Sequence, residues 1–175
     1  MPEGGLLIDK LRPGSESSTL VGFRKGEPLC QHDLDLRARA WRTAFDGAPG
    51  QRYVLHSSDS FEFLAALIGA WHAGKCVLLP SDLQAATAQQ LGAGIDGVAG
   101  MEGGLMPGSP SDAPWQKPDP EAPALEVFTS GSTGHPVSIP KCLRQLDQEV
   151  SALAAAIDLG PVNARVLGTV SHQHM

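Results

Sequence analysis

The strongest constraint on the fold lies between residues 51 and 80, where two apolar segments of strand length flank a helical segment. The first, residues 51–57, reads QRYVLHS. The N-cap types at 57–60 (SSDS) then open an apolar helix, and Gly74 is predicted at its C′ position. Residues 76–80, CVLLP, are continuously apolar, as in a strand buried on both faces. This strand–helix–strand unit predicts an α/β fold with a mainly parallel β-sheet flanked by helices and a right-handed crossover.

The segments before this unit predict a hairpin and a first long helix. Residues 20–29 are expected to form a small hairpin within an otherwise irregular lead-in, residues 1–32. Asp33 is predicted to be the N-cap of an amphipathic helix that ends near Gly47. We expect the arginines of this helix to lie on its solvated face: Arg37, Arg39 and Arg42.

The remainder, residues 33–175, is interpreted as one α/β subdomain. Its further predicted elements are a short helix at 84–91, a weak strand at 95–99, a proline-rich surface loop or linker at 100–123, a helix at 143–157 and a buried strand at 165–170. Because the chain stops just after a strand, it is interpreted as truncated.

Residues 125–141, LEVFTSGSTGHPVSIPK, join an apolar strand to a loop of six small residues that runs from Thr129 to Gly134. Glycines permit positive φ and close backbone approach, successive N–H groups can form an anion-binding nest, and the hydroxyls add donors. The run is neither a Walker A motif, which ends in Gly-Lys-Ser/Thr, nor G-x-G-x-x-G. Composition alone leaves two alternatives open, a phosphate-binding loop and a plain connector.

The ordered string T-S-G-S-T-G-x-P is more specific, and it resembles the signature loop of the adenylate-forming enzymes. These are the acyl-CoA and aryl-CoA synthetases, the luciferases and the adenylation domains of peptide synthetases. Residues 33–45 resemble the first long helix of that family. Residues 53–80 resemble its strand–"N-S-x-E-F"–helix–"A-G"–strand segment. Residues 170–174 resemble the strand ending in "P-L-x-H" that borders the acyl pocket, with His174 in the His place.

The resemblance implies a two-step reaction. A carboxylic acid attacks the α-phosphate of ATP to give an acyl-adenylate and pyrophosphate, and a thiol of coenzyme A or of a phosphopantetheine-bearing acyl carrier protein then accepts the acyl group. The loop would hold the β- and γ-phosphates together with Mg²⁺. The residues that the resemblance assigns to this role are Thr129, Ser130, Gly131, Ser132, Thr133 and Gly134.

The chain departs from the family pattern after the loop proline and near residue 172. The family usually has Lys directly after the loop proline, where this chain has Val137, and the nearest lysine is Lys141. Lys141 would reach the phosphates if residues 137–140 fold back; the alternative is a surface lysine at a strand end. His172 and His174 form an H-x-H pair, but a metal site needs more than two ligands, so we predict no metal site there. The resemblance implies that His174 lines the substrate pocket.

Family members are several times longer than 175 residues. The motifs that bind adenine, ribose and Mg²⁺, the hinge and the lid with its catalytic lysine are not found in this sequence. We therefore expect a truncated part of the large N-terminal domain, inactive alone and with no assignable catalytic residue. The residues after Pro136 resemble those of ligases that act on aromatic or fatty acids, which implies a fatty or aromatic acid as the substrate class. Such a part would expose surface and self-associate. The alternative is a non-catalytic α/β interaction module with a vestigial anion-binding loop.

Bulk properties exclude several other classes. The net charge is -6, and no Lys/Arg cluster is present to neutralise nucleic-acid phosphates. No apolar run approaches the roughly 18 residues of a membrane span, and no basic region precedes an apolar one at the N-terminus. The three cysteines are widely spaced and odd in number, which favours reduced thiols and a cytoplasmic location.

Overall fold

The computed structural model describes residues 18–80, 94–129 and 137–157. The strands are β1 (Leu20–Arg24), β2 (Glu27–Cys30), β3 (Arg52–Leu55), β4 (Cys76–Leu79), β5 (Gly97–Ala99), β6 (Pro123–Thr129) and β7 (Val137–Cys142). The helices are α1 (Gln31–Asp46), α2 (Ser60–His72) and α3 (Leu143–Ala156). The predictions at 84–91 and 165–170 lie outside the described residues.

The main sheet has the order β5-β3-β4-β6-β7. The β3–β4, β3–β5 and β4–β6 pairs are parallel, and only the edge pair of this sheet, β6–β7, is antiparallel. Strands β1 and β2 form the separate antiparallel hairpin predicted at 20–29. The predicted α/β fold with a mainly parallel sheet is confirmed. Its parallel strands all end at one edge, which is where such sheets bind ligands.

The strand–helix–strand unit of β3, α2 and β4 forms as predicted. Asp59 is the N-cap of α2, and its Oδ1 accepts hydrogen bonds from the backbone N–H groups of Phe61 and Glu62, both at 2.9 Å. Gly74 follows the helix with φ +67°, the left-handed conformation that glycine adopts at C′ without strain. The serine- and aspartate-rich start and the glycine stop therefore define the crossover helix.

Helix α1 begins three residues before the predicted start. Its N-cap is Cys30, and Asp33 is the third helical residue, whose Oδ2 accepts from the Cys30 backbone N–H at 2.8 Å. The prediction that Asp33 is the N-cap was wrong, because this carboxylate reaches back to the cap from inside the first turn. That backbone hydrogen bond holds the pKa of Asp33 below its usual value. The predicted stop at Gly47 is confirmed as the C-cap.

The main hydrophobic core lies between one sheet face and the α1–α2 pair. Trp41 and Phe45 of α1 and Ile68 of α2 are at most 1% exposed. The helices approach closely at Gly69, where a Cβ would lie 2.7 Å from both the Arg42 nitrogen and the Trp41 Cβ. Any larger residue at this position would force the helices apart. The other sheet face carries a smaller cluster around Val54, Cys76 and Leu78.

The proline-rich strap, residues 107–120, runs over α1 without helix or strand. Its carbonyl oxygens accept hydrogen bonds from two arginines of α1: Arg42 Nη1 donates to the Pro114 oxygen at 2.6 Å, and Arg39 Nη1 donates to the oxygens of Ser111 and Ala113 at 3.1 and 3.0 Å. Arg42 is only 7% exposed. The expectation of a solvated arginine face was wrong, because a strap without regular structure needs donors for its backbone carbonyls.

Helix α3 forms as predicted but packs only its first turn. Leu143 is buried, whereas Val150, Leu153 and Ile157 of the same stripe are 44%, 63% and 63% exposed. The adjoining edge strand β7 also exposes apolar side chains. None of the helices in the described ranges is both long and apolar enough to cross a membrane.

Candidate functional site

The β6–β7 hairpin presents the candidate phosphate loop. Strand β6 lies between β4 and β7, runs parallel to β4 and ends at Thr129, which pairs with Val137 across the hairpin. The loop therefore leaves the sheet at the edge shared by the carboxyl ends of β3, β4 and β5. Of the predicted site residues, those that lie outside the described ranges are Ser130, Gly131, Ser132, Thr133, Gly134 and His174.

The base of this hairpin carries a polar network that we call the Glu126 tie, formed by Arg52, Glu126 and Ser138. Arg52 Nη2 lies 3.0 and 2.9 Å from the Glu126 Oε1 and Oε2 atoms, and Arg52 Nε lies 3.2 Å from Oε1. Ser138 Oγ donates to Glu126 Oε2 at 2.9 Å. The tie joins β3 to both strands of the hairpin across β4.

The electrostatics of the tie follow from these contacts. The hydrogen bonds from Arg52 to Glu126 raise the pKa of the guanidinium, and the two side chains form a salt bridge with 2.9 Å between Nη2 and Oε2. Cys76 of β4 lies beside it, with Sγ 4.0 Å from Glu126 Oε1. Burial, and then the Glu126 charge, raise the pKa of the Cys76 thiol to about 11, so this thiol is not a reactive thiolate at neutral pH.

Lys141 lies at the far end of β7 from the loop. Lys141 pairs in register with Leu125. It lies four residues after Val137 in sequence, and this separation is about 13 Å along an extended strand. Its Nζ donates a hydrogen bond to Glu149 of α3. Residues 137–140 are extended and paired with β6 instead of being folded back. Contact between Lys141 and a phosphate in the loop would require this ion pair to open and the strand to bend, and that contact stays a prediction.

A second charged cluster fixes the β1–β2 hairpin to the helices. Glu62 of α2 accepts from Arg37 Nε at 2.9 and 2.8 Å, from Trp41 Nε1 at 3.2 Å and from Arg24 Nη2 at 3.3 Å. Arg24 Nη2 also donates to Asp59 at 2.7 Å. Both guanidinium groups are occupied by carboxylates, which makes this cluster a structural clamp. Within the described ranges no three His, Cys, Asp or Glu side chains are grouped so that they could hold a metal ion.

Sequence reasoning missed the Glu126 tie, although a signal was present. Glu126 interrupts an otherwise apolar strand, and Arg52 opens another apolar strand. A charge at an inward strand position needs a partner, because burial of an unpaired carboxylate is costly. The pair joins residues 74 positions apart, so only the strand order identifies the partner.

No protein-family model and no curated protein sequence matches the chain. Solved structures do share its fold. The nonribosomal peptide synthetase FmoA3 is 21% identical with a TM-score of 0.73, and the match covers 97% of this chain and 20% of FmoA3. A variant of E. coli MenE with bound OSB-AMS is 17% identical with a TM-score of 0.66, covering 88% and 36%. The fatty acid AMP ligase from Legionella pneumophila is 19% identical with a TM-score of 0.65, covering 89% and 33%.

The fold is thus that of an N-terminal portion of the adenylate-forming enzymes, as the sequence resemblance predicted. The chain spans between a fifth and about a third of the length of these three structures. At these identities the similarity establishes the fold of the chain and not its activity.

Proposed function

We propose that this chain carries the ATP-phosphate-binding loop of an AMP-forming acid–thiol ligase. One observation carries the proposal: the T-S-G-S-T-G string follows β6 directly, at the carboxyl edge of a parallel sheet whose fold is shared with adenylate-forming enzymes. Backbone N–H groups and hydroxyls at such an edge suit an anionic ligand.

In this proposal ATP and Mg²⁺ supply the leaving pyrophosphate and its charge compensation. The chain's own part is to bind the β- and γ-phosphates through the donors of residues 129–134. Mg²⁺ retains several waters and is bound largely through substrate phosphates, so it needs no protein cage at this loop. The whole protein would join a carboxylic acid, fatty or aromatic in class, to coenzyme A or to a carrier protein in the cytoplasm. His174 is proposed for the acid pocket.

A non-catalytic interaction module with a vestigial anion-binding loop is the second candidate. The pairing of Lys141 with Glu149 favours it, because the only lysine near the loop in sequence is held at the other end of β7. The two candidates differ in one measurable property, the binding of a polyphosphate by the loop hydroxyls.

The test is calorimetric titration of the 175-residue chain with magnesium pyrophosphate. Thr129→Ala and Ser132→Ala each remove a hydroxyl donor to a charged ligand and should weaken binding about tenfold or more. Ser151→Ala removes an exposed hydroxyl on α3 and is the matched control, expected to bind like the unaltered chain. Lys141→Ala weakens binding only if that lysine leaves Glu149 for the phosphate.

Two results would count against the ligase proposal. Pyrophosphate that does not bind, or that binds both loop variants as tightly as the unaltered chain, would favour the interaction module. The chain alone should show no acid-dependent ATP–pyrophosphate exchange over a panel of fatty and aromatic acids, and exchange by this chain would refute its proposed inactivity.

We also propose that the chain associates with a second copy through the exposed stripe of α3. The charged residues Arg144, Asp147 and Glu149 all lie in the first half of α3, and residues 150–156 carry no charge. An antiparallel pair of α3 helices would therefore bury the two stripes against each other, with Arg144, Asp147 and Glu149 of each helix outside the buried stripe. Sedimentation equilibrium should show dimers that Leu153→Asp abolishes and that Ala155→Asp, on the other side of the helix, preserves. A monomer at all concentrations would refute this.

A further inference from the structure

Glu126 places a carboxylate on the strand that carries the candidate phosphate loop. It precedes Thr129 by three residues, a separation of about 10 Å along an extended strand. Its side chain is only 12% exposed, so water screens its charge less than it would at the surface. An unpaired carboxylate at this position would repel a polyphosphate bound at the end of β6.

Arg52 neutralises this carboxylate in a fixed geometry. Arg52 Nε donates to Glu126 Oε1 at 3.2 Å and Nη2 donates to Oε2 at 2.9 Å, which is a bidentate pairing, and Arg52 Nη1 donates to the Gly94 oxygen at 2.6 Å. Ser138, on the other strand of the hairpin, donates to the same carboxylate. The charge on the loop-bearing strand is thus balanced from β3, two strands away.

We propose that Arg52 is a positioning residue for polyphosphate binding: it holds Glu126 in an ion pair so that the carboxylate does not oppose an anion in the loop. This inference rests on the proposed phosphate-binding function. It assigns to Arg52 an electrostatic role toward the ligand beyond its structural role in joining strands.

Two roles of Arg52 predict opposite outcomes for a double variant. Arg52→Met leaves Glu126 charged and unpaired, so affinity should fall under either role. If repulsion by Glu126 is the cause, adding Glu126→Gln in the same chain removes that charge and restores affinity. If Arg52 acts only as a structural tie, the double variant loses both partners and binds as weakly as Arg52→Met, or more weakly.

The experiment is titration of the full 175-residue chain and its variants with magnesium pyrophosphate, with circular dichroism to verify folding. We expect Arg52→Met to bind about five- to tenfold more weakly, and the double variant to bind within about twofold of the unaltered chain. Arg144→Met is the control, because it removes the same charge from α3, where Arg144 forms an exposed ion pair with Glu121, and it should leave affinity unchanged.

Glu126→Gln alone keeps the test decisive if Arg52→Met fails to fold. It removes only the negative charge and should leave affinity equal or higher, whereas a structural tie predicts a loss. The inference is overturned if Arg52→Met binds normally, if the double variant stays weak or if Glu126→Gln weakens binding. Pyrophosphate binding that depends on Thr129 but not on Arg52 would sink this inference alone, while absence of binding to the unaltered chain would remove the proposed function with it.

Discussion

Helices α1 and α3 begin in the same way and pack differently. Each follows an edge strand, has a cysteine at its N-cap and uses its third residue to accept a hydrogen bond from the cap backbone: Asp33 to Cys30 at 2.8 Å, and Gln145 to Cys142 at 3.0 Å. Yet α1 buries most of its apolar side chains, with Leu36 exposed, and α3 buries only Leu143. Local signals therefore specify where a helix forms, and its partners decide how much it contributes to stability.

The partners of α1 come from both sides. Helix α2 packs against it through the close approach at Gly69, and the strap covers its arginine side. Among the described elements, helix α3 makes its main contacts with β6 and β7. Since burial of apolar surface is the dominant favourable term in folding, the two helices should differ widely in their contribution to stability.

The largest expected effect is the loss of a core side chain from α1. Trp41→Ala removes a side chain that is 1% exposed and should lower the free energy of unfolding by about 3–5 kcal/mol. Leu153→Ala on α3 is the matched control and should change it by less than about 0.5 kcal/mol, measured by urea unfolding at concentrations where the chain is monomeric. If the two variants lowered the free energy of unfolding equally, α3 would be buried in solution, and the two helices would not differ in their contribution to stability.

The fold was predictable from sequence where the signals are local. The hairpin at 20–29, the helices and the parallel β3–β4 pair follow from turn residues, caps and periodicity within about 30 residues. Asp33 was misplaced by three residues because a cap and a third helical residue use the same side-chain chemistry. The strand before the candidate phosphate loop was predicted and forms β6, whereas the loop itself stays a prediction from its ordered letters.

The contacts that sequence reasoning missed join distant segments. The hydrogen bond from Arg42 to the Pro114 oxygen joins residues 72 positions apart in the sequence, and the pair of Arg52 and Glu126 joins residues 74 positions apart. A charged residue on a helix or strand indicates no partner until the topology brings the two segments together. The pairing of Lys141 with Glu149 was missed for a related reason, because it depends on how α3 leaves β7.

A smaller effect is expected for a substitution that tests how much the strap stabilises α1. Trp115 Nε1 donates to Asp35 Oδ1 at 3.0 Å, and its ring lies 4.9 Å from the Arg39 guanidinium carbon and 4.4 Å from the His72 ring. Trp115→Phe keeps a ring but removes the N–H donor, and should lower the free energy of unfolding by about 1 kcal/mol, because Asp35 keeps its ion pair with Arg39.

Trp115→Ala also removes the ring, so it separates packing from hydrogen bonding. It should lower the free energy of unfolding more than Trp115→Phe does. Hydrogen exchange should quicken in residues 107–120 in both variants and stay unchanged in α3. If exchange in the strap is already fast in the unaltered chain, the arginine and tryptophan contacts do not hold it. The stability of α1 would then come from its packing against α2, with the close approach at Gly69, and against the sheet.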